Sequence, residues 1–335
     1  MTFSHGGDII NFATNLGCDV DEIIDLSSNI NFLKPEIHCD FNTLNISPYP
    51  NYDKLYNSIA NLYQIKSSQL ELYNGGSSAI FSLFKFFDIS YINIYSPAYL
   101  EYKKAAVKLN YSYELINRFT DIYKEVIPNS LVVFVNPSTP EGSFYDIDKL
   151  IQIWIEKNCT ILIDESFLDF TSYPSALKYI KTYNKLYILK SMTKFYSSAG
   201  IRVGAVLSSE QNIKKLQNCE PVWKISQFDS TYIQEALKDD NFVKVSKAVT
   251  VTNKEYLVAI LKDFKYTQDI FSSCTNFVMI QLKNINAKQF QELLKPYKIM
   301  IRDCSNFDFL DESFVRIAVK SHKDLEYFEK ALQKL

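Results

Sequence analysis

Five short apolar runs separated by helical stretches are the sequence feature that most restricts the fold. They cover residues 91–95, 131–135, 160–163, 186–189 and 203–207. Most of their positions are apolar, with many β-branched residues, as expected of strands buried on both faces of a parallel sheet. The first four runs end in polar or proline-containing loops, and open α/β sheets bind ligands at that edge. We therefore predict an α/β fold with a mainly parallel sheet and a site at its carboxyl edge.

The chain has 335 residues, more than a single core usually supports, so a second and smaller domain is expected. Its character changes near residue 230, where a long mixed-charge helical region is followed by three strand candidates, 276–282, 298–301 and 314–319. The predicted division is an N-terminal arm over 1–33, a large domain carrying the site over 34–230 and a small α+β domain over 231–335.

Charge and cysteine usage exclude several classes of function. The formal net charge is −2 and no basic stripe occurs, so nucleic acid is not an expected partner. The six cysteines form no C-x-x-C pair and only three histidines occur, which disfavours metal sites and disulfides and fits a reducing cytoplasm. With no leader-like start and no apolar run long enough to span a bilayer, we predict a cytoplasmic protein without a membrane or metal requirement.

A single lysine among hydroxyl residues is the strongest candidate for chemistry. Lys194 ends the segment Ser-Met-Thr-Lys, and Arg202 follows a short turn later. A lysine amine can anchor an aldehyde cofactor as a Schiff base, and neighbouring positive charge lowers its pKa. Ser191, Thr193 and Arg202 carry donors for a phosphate dianion, the arginine as a bidentate partner. A loop of this kind is more often a polar surface loop without a function. To predict a cofactor site, the sequence must also contain the other residues that such a site requires.

Four further motifs supply those parts. Residues 74–78, Asn-Gly-Gly-Ser-Ser, precede an apolar helix, where uncrowded backbone N–H groups bind phosphate. Two strand ends carry Tyr99, which can stack on a planar ring, and Asn136, whose amide can donate to a phenolate oxygen. Asp164 follows a third strand, where a buried carboxylate would keep a pyridine nitrogen protonated. Each motif alone also fits a helix cap, a turn or a core residue, and only their joint order indicates a binding site.

The order of glycine loop, aromatic residue, Asn-Pro, Asp-Glu, Ser-x-x-Lys and arginine resembles that of the fold type I enzymes, which use pyridoxal 5′-phosphate. The resemblance covers almost the whole chain. It implies a large domain with the fold of the pyridoxal-phosphate-dependent transferases, plus a small α+β domain. It implies Lys194 as the Schiff-base lysine, Asp164 as partner of the pyridine nitrogen and Asn136 as donor to the phenolic oxygen. Tyr99, or less readily Tyr102, would stack on the ring. The residues implied for the cofactor phosphate are Gly76, Ser77, Ser191, Thr193 and Arg202.

The resemblance also implies contributions from outside the large domain. Arg316, within Val-Arg-Ile-Ala-Val, matches the arginine that grips the substrate α-carboxylate. Tyr49 or Tyr52 would reach the cofactor phosphate of the neighbouring subunit, as in the dimers of this family. The expected assembly is therefore a homodimer with site residues shared across the interface.

Within that family, several segments resemble the L-threonine-O-3-phosphate decarboxylases, close relatives of the histidinol-phosphate aminotransferases. The similar segments are His-Gly-Gly at 5–7, Asp-Leu-Ser-Ser-Asn-Ile-Asn at 25–31 and Asp-Glu-Ser-Phe-Leu-Asp-Phe at 164–170. Phe167 stands where the aminotransferases usually have a tyrosine whose hydroxyl touches the cofactor phenolate. The resemblance therefore implies decarboxylation of a phosphorylated amino acid to an amino-alcohol phosphate, with cobalamin biosynthesis as the pathway.

A second anion site would hold the substrate phosphate and so decide which Cα bond breaks. His5, Asn31 and Arg302 are the candidates for it. Two segments depart from the family pattern, since 31–35 lacks the usual N-P-L-G and Thr-Pro-Glu-Gly at 139–142 replaces the usual N-P-T-G. L-Serine-O-phosphate stays an alternative substrate, because one methyl group discriminates only weakly.

Two other functions stay open from the sequence. The same residues would serve a histidinol-phosphate-type aminotransferase that uses glutamate and 2-oxoglutarate, with Lys194 as general base at Cα. A binding or regulatory protein could also keep the fold without catalysis. The intact set of Lys194, Asp164 and Arg202 argues against that third possibility.

Overall fold

The computed structural model describes residues 6–335. The strands are β1 (Ile24–Asp25), β2 (Leu70–Tyr73), β3 (Tyr91–Ser96), β4 (Ser112–Asn117), β5 (Leu131–Val135), β6 (Thr160–Asp164), β7 (Leu186–Ser191), β8 (Gly204–Leu207), β9 (Thr267–Ile270), β10 (Phe277–Leu282), β11 (Ile299–Met300), β12 (Arg302–Asp303) and β13 (Phe314–Ala318). The α-helices are α1 (Ile9–Leu16), α2 (Asp53–Leu62), α3 (Gly75–Phe86), α4 (Leu100–Lys108), α5 (Asp148–Glu156), α6 (Met192–Phe195), α7 (Glu210–Gln217), α8 (Gln227–Ala236), α9 (Asp240–Asp263), α10 (Ala287–Leu294) and α11 (His322–Leu332). Within this range, no helix combines the length and the apolar character that crossing a membrane requires.

Seven strands form the large sheet, in the order β2-β8-β7-β6-β5-β3-β4. The strands from β7 to β4 pair in parallel, whereas β8 runs antiparallel to both of its neighbours. The sheet is buried on both faces. Successive side chains of a strand point to opposite sides of the sheet, and here each side packs against its own apolar core. In β5, Val132 and Phe134 belong to one apolar core, and Val133 and Val135 belong to the other.

The mainly parallel sheet predicted from the apolar runs is confirmed, with two differences in detail. The run at 203–207 forms β8, which pairs antiparallel rather than parallel. The edge strand β4 was not predicted, because its sequence mixes polar and apolar residues and five of its six residues are at least partly exposed. Such an edge position demands no continuous apolar run.

The C-terminal part contains a second, antiparallel sheet in the order β12-β13-β10-β9. One apolar core joins this sheet to α9, α10 and α11, through residues such as Leu257, Phe290 and Phe328. The predicted helical region at 229–263 consists of two helices, α8 and α9. The chain breaks between them because the side chain of Asp239 accepts a hydrogen bond from the Phe242 N–H at 2.8 Å and caps α9.

The arm is bonded to both parts of the chain. Strand β1 pairs in parallel with β11, and the Leu26 N–H donates to the Met300 carbonyl at 2.8 Å. A few residues later, the Asn31 N–H donates to the Lys194 carbonyl at 3.0 Å. The Leu26 carbonyl also accepts a hydrogen bond from the N–H of Ala318 in β13 at 2.8 Å. The segment between Leu26 and Asn31 therefore passes from the antiparallel sheet to the lysine loop of the large sheet.

Candidate active site

A cavity of about 340 Å³ opens where the carboxyl ends of the large-sheet strands meet the arm and the antiparallel sheet. This position is the ligand-binding edge expected of an open α/β sheet. Most of the predicted site residues line it, namely Gly76, Ser77, Tyr99, Asp164, Ser191, Thr193, Lys194, Arg202, Arg302 and Arg316. The fold thus brings together residues that lie up to 240 positions apart (from 76 to 316).

The start of α3 forms a close-fitting backbone cradle. Gly75 has φ +77°, and a Cβ added there would lie 2.4 Å from Nη2 of Arg202. A Cβ on Gly204 would lie 2.8 Å from the Gly76 nitrogen. Only glycine fits either position, and its small size leaves the N–H groups of the helix start next to a guanidinium. Such a helix terminus binds phosphate.

Hydroxyl groups complete this cradle. The Ser191 and Thr193 hydroxyl oxygens lie 2.8 Å apart, and the Ser77 hydroxyl lies 3.1 Å from the Tyr99 hydroxyl. Arg202 is held in place by a hydrogen bond from Nη1 to the Ala199 carbonyl at 2.9 Å. The donors therefore converge as a dianionic phosphate requires.

Lys194 lies in α6, directly after β7, and lines the cavity. Desolvation, together with the positive charges of Arg316 and Arg202, lowers the pKa of Lys194 to about 8. Its amine is therefore much closer to neutrality at physiological pH than that of an ordinary lysine. A neutral amine is the form that attacks a carbonyl carbon.

Asp164 ends β6 with both carboxylate oxygens engaged. The Tyr102 hydroxyl donates to Oδ2 at 2.7 Å, and the Ser166 N–H and hydroxyl donate to Oδ1 at 2.9 and 2.5 Å. Burial raises the pKa of Asp164, so a cation bound beside it would stabilise the charged form. Tyr102 is buried behind this carboxylate and does not line the cavity, so of the two tyrosines only Tyr99 can face a ring.

Glu165, the next residue, points away from the cavity and forms a buried ion pair with Lys190 at 2.8 Å. It also accepts a hydrogen bond from the Ala176 N–H at 2.7 Å. Breaking a buried pair of this kind typically costs about 3–5 kcal/mol, because the remaining charge stays unpaired. The pair therefore anchors the loop that presents Asp164, a role that the local sequence did not reveal.

Arg302 and Arg316 are directly opposite each other on β12 and β13. Arg316 donates to the Thr139 hydroxyl at 3.0 Å and to the Ser27 carbonyl at 3.2 Å, and Arg302 donates to the Asn306 side chain at 2.8 Å. Burial lowers the pKa of Arg316 to about 10 and also lowers that of Arg302. Nε of Arg316 is buried without a hydrogen-bond partner in the described part of the chain. A buried positive charge is costly unless it is paired, so these guanidinium groups are suited to binding anionic ligands.

The cavity as a whole carries a surplus of positive charge. Among the described lining residues, Lys194, Arg202, Arg302 and Arg316 face a single carboxylate, that of Asp164. A surplus of this size is stabilised by more than one bound anionic group. The site is thus suited to a cofactor phosphate together with an acidic substrate.

The structure does not bring two of the predicted residues to the cavity, and here the predictions need correction. Nδ2 of Asn136 donates to the Tyr145 carbonyl and its Oδ1 accepts from the Tyr145 N–H, both at 2.9 Å. Nδ2 of Asn31 donates to the Phe195 carbonyl at 2.9 Å, and its Oδ1 accepts from the Leu33 N–H at 3.1 Å. Nδ2 of Asn31 also donates to the Ser246 hydroxyl at 3.0 Å, so both of its N–H groups are used within the protein. Both amides hold loops together, and neither residue lines the cavity.

The two tyrosines predicted to reach a neighbouring subunit differ sharply. The Tyr52 hydroxyl donates to the Ile225 carbonyl at 2.6 Å and accepts from the Ile225 N–H at 2.9 Å. Tyr49 is 73% exposed and stacks on Trp223, with ring centroids 3.9 Å apart. Of these two tyrosines, Tyr49 is the one with an exposed ring. His5, predicted to bind substrate, lies outside the described residues.

Several lining residues were missed by the sequence reasoning, among them Thr139, Asn29 and Phe307. Thr139 stands three positions after Asn136 in the same loop, and Asn29 lies two positions before Asn31. The correct segments were thus identified, but the residue that faces inward was not. The direction of a side chain in an irregular loop follows from tertiary contacts that a motif does not contain.

Residues 8–335 match the family model described as aminotransferase class I and II. A relative from Leptospira interrogans, the adenosylcobalamin biosynthesis bifunctional protein CobDQ, is 31% identical over 96% of this chain, which spans 39% of the length of that relative. A relative from Caldanaerobacter subterraneus named "Putative threonine-phosphate decarboxylase" is 29% identical over 96% of this chain and 91% of its own.

A solved structure gives the same assignment. The histidinol-phosphate aminotransferase from Clostridium acetobutylicum is 31% identical and superposes with a TM-score of 0.84, over 92% of this chain and 98% of that one. Together with the lysine, the aspartate and the phosphate cradle at one cavity, these similarities show that the chain belongs to the class I and II aminotransferase family, whose members are pyridoxal-phosphate enzymes of fold type I.

Proposed function

We propose that the protein is a pyridoxal-phosphate-dependent decarboxylase of a small phosphorylated amino acid, L-threonine-O-3-phosphate or L-serine-O-phosphate. The products would be carbon dioxide and the corresponding amino-alcohol phosphate. The observation that carries the proposal is the pair Arg302 and Arg316, two buried guanidinium groups opposite each other on adjacent strands at one cavity.

The spacing of this pair favours one ligand with two anionic groups. Directly opposed residues of antiparallel strands have Cβ atoms about 5 Å apart and point to the same face. In an O-phosphorylated serine or threonine, the carboxylate and the phosphate are separated by only a few bonds, so a single molecule can contact both arginines. Histidinol phosphate, by contrast, carries one acidic group.

The residues present fit the cofactor. Ser77, Ser191, Thr193, Arg202 and the backbone of Gly76 would hold its phosphate, Asp164 its ring nitrogen and Lys194 its aldehyde carbon. When bound, pyridoxal phosphate supplies an electron sink for the charge that develops at the substrate Cα. The buried carboxylate of Asp164, oriented by Tyr102 and Ser166, would keep the ring nitrogen protonated and so strengthen that sink.

The two arginines would orient the substrate. Arg316 holds the carboxylate and Arg302 the phosphate, so rotation about the bonds of Cα is restricted by contacts at two ends. Remote binding energy at the phosphate can then be used to set which Cα bond breaks. As the C–C bond to the carboxylate breaks, carbon dioxide leaves and a proton must take its place at Cα. Nζ of Lys194, whose pKa is about 8, can carry that proton near neutral pH.

An aminotransferase of histidinol-phosphate type is the second candidate. The 31% identity to the Clostridium acetobutylicum aminotransferase favours it, and glutamate also carries two carboxylates that could pair with Arg302 and Arg316. Phe167 favours the decarboxylase, since its ring offers no hydroxyl to the cofactor. The name of the Leptospira relative is consistent with a role in cobalamin biosynthesis.

We also propose that the protein acts as a homodimer, with Tyr49 contacting the cofactor phosphate of the partner subunit. Tyr49 and Trp223 form an exposed aromatic pair. Exposed, stacked aromatic rings are typical of surfaces that bind another protein. The family is dimeric in general, which supports the same arrangement.

The proposed reaction requires no keto acid. We expect purified protein with pyridoxal phosphate to convert O-phosphothreonine or O-phosphoserine to an amino-alcohol phosphate and carbon dioxide. Mass spectrometry identifies the products. Parallel samples contain 2-oxoglutarate, and others contain histidinol phosphate with 2-oxoglutarate. Glutamate formed only in the presence of 2-oxoglutarate would instead establish the aminotransferase.

Replacing Arg302 should separate phosphate recognition from chemistry. In Arg302→Gln we expect kcat/KM for the phosphorylated amino acid to fall about 10- to 100-fold, as for loss of a hydrogen-bonded charge pair worth about 1.5–3 kcal/mol. The slow turnover of unphosphorylated threonine or serine should change little, since those substrates cannot use Arg302. An equal loss for both substrate types would show that Arg302 does not bind the phosphate.

The lowered pKa of Lys194 predicts how the apoprotein captures the cofactor at different pH values. Only the neutral amine reacts, so the rate of covalent capture should rise with pH and level off above pH 8, the approximate pKa of Lys194. At pH 7 about a tenth of such amines are neutral, compared with about one in 3,000 for an ordinary lysine. Stopped-flow absorbance measures the rate. Arg316→Gln removes a positive charge and should move the midpoint to higher pH, whereas a wild-type midpoint above pH 10 would contradict the shift.

Tyr49→Ala should weaken pyridoxal-phosphate binding about tenfold, as expected for loss of a hydrogen bond to a charged group, while Tyr52→Phe should retain nearly wild-type affinity. Equilibrium dialysis measures both. Mixing Tyr49→Ala subunits with Lys194→Ala subunits tests the shared site, because one site of each hybrid dimer has Lys194 together with Tyr49 of the partner subunit. If no tight sites return in the mixture, Tyr49 does not act across the interface.

A further inference from the structure

The cofactor has a phenolic oxygen for which the predicted partner is missing. Asn136, the residue predicted to donate to it, does not line the cavity, and its side-chain amide is bonded to both the N–H and the carbonyl of Tyr145. Phe167 lines the cavity but has no hydroxyl. Because a negatively charged oxygen in a buried site needs a donor, another residue must supply one.

The order of the strands indicates where this donor should lie. In pyridoxal phosphate, the phosphate-bearing arm and the phenolic oxygen are on opposite sides of the line from the ring nitrogen to the aldehyde carbon. The phosphate cradle lies at the ends of β2, β8 and β7, and Asp164, the partner of the ring nitrogen, ends β6. The phenolic oxygen therefore faces the next strand in the sheet, β5, and the loop that follows it.

One hydroxyl from that loop reaches the cavity. Thr139 lines the cavity and is only 5% exposed. Its Oγ1 accepts a hydrogen bond from Nη1 of Arg316 at 3.0 Å. A hydroxyl that accepts one hydrogen bond still has a proton to donate, and none of the residues 6–335 accepts a hydrogen bond from it among the contacts of this structure. The adjacent guanidinium also polarises this hydroxyl and makes it a better donor.

We infer that Thr139 donates a hydrogen bond to the phenolic oxygen of bound pyridoxal phosphate, the role predicted for Asn136. Thr139 would then be a cofactor-contacting residue that links the oxygen to Arg316. This assignment depends on the cofactor and the fold, and it holds whichever reaction the enzyme performs.

Such a contact has a measurable consequence for the proton at the Lys194 nitrogen. With the cofactor bound, that nitrogen and the phenolic oxygen are neighbours, and the negative oxygen attracts the proton on the nitrogen. A donor to the oxygen spreads its negative charge and weakens this attraction. The proton is then lost at lower pH, and the visible absorption band of the bound cofactor changes at that pH.

The test is a pH titration of the absorption spectrum of the holoenzyme without substrate. We expect Thr139→Val to raise the midpoint by about one pH unit, as for loss of one hydrogen bond to a charged acceptor. Thr139→Ser keeps the hydroxyl and should give a midpoint near that of the wild type. In the Thr139→Val background, Phe167→Tyr offers a replacement hydroxyl and should lower the midpoint again.

A second comparison separates direct contact from an effect through Arg316. In the Arg316→Gln background, Thr139→Val should still raise the midpoint by a similar amount, since the donor to the oxygen is again removed. Equal midpoints for wild type and Thr139→Val, with both proteins folded and loaded with cofactor, would overturn the assignment. A shift that vanishes in the Arg316→Gln background would show that Thr139 only positions Arg316. Because no substrate is present, either failure is distinct from failure of the proposed decarboxylation.

Discussion

Burial of the large sheet on both faces is the constraint on which the rest of this structure depends. Two apolar cores take up alternate side chains of strands such as β5, so a polar group along the strands is costly to bury unless it is hydrogen-bonded. Polar side chains are therefore concentrated at the carboxyl edge. There Asp164, Ser191 and Lys194 come from neighbouring strand ends, although they are well separated in the sequence from Gly76 and Arg316.

The second determinant is the positive charge that this arrangement collects. Arg202 and Arg316 both lower the pKa of Lys194, and each is also a candidate anion ligand. Binding of a phosphate or a carboxylate would neutralise them in turn, so the basicity of Lys194 would rise as the cavity fills. The same two arginines thus link ligand binding to the protonation state of the amine that performs the chemistry.

Much of this organisation follows from the sequence, because strands and phosphate-binding turns are local patterns. The parallel sheet is predicted by consecutive apolar residues, and the cradle at Gly75 and Gly76 by glycines before a helix. Side-chain direction in loops is not local. Asn136 is buried beside the Tyr145 backbone and does not line the cavity, and the ion pair of Lys190 with Glu165 joins β7 to the loop after β6, which no local motif marks. Such features follow only from the assembled fold.

The arm has a mechanical consequence. Leu26 is hydrogen-bonded to the antiparallel sheet that carries Arg316, and Asn31 is hydrogen-bonded to the lysine loop, with four residues between them. This short tether contributes Ser27, Ser28 and Asn29 to the wall of the cavity. The two sheets cannot separate at the tether without breaking those bonds. A widening of the cavity that keeps these bonds would move the two sheets apart least at the tether and most on the side far from the arm.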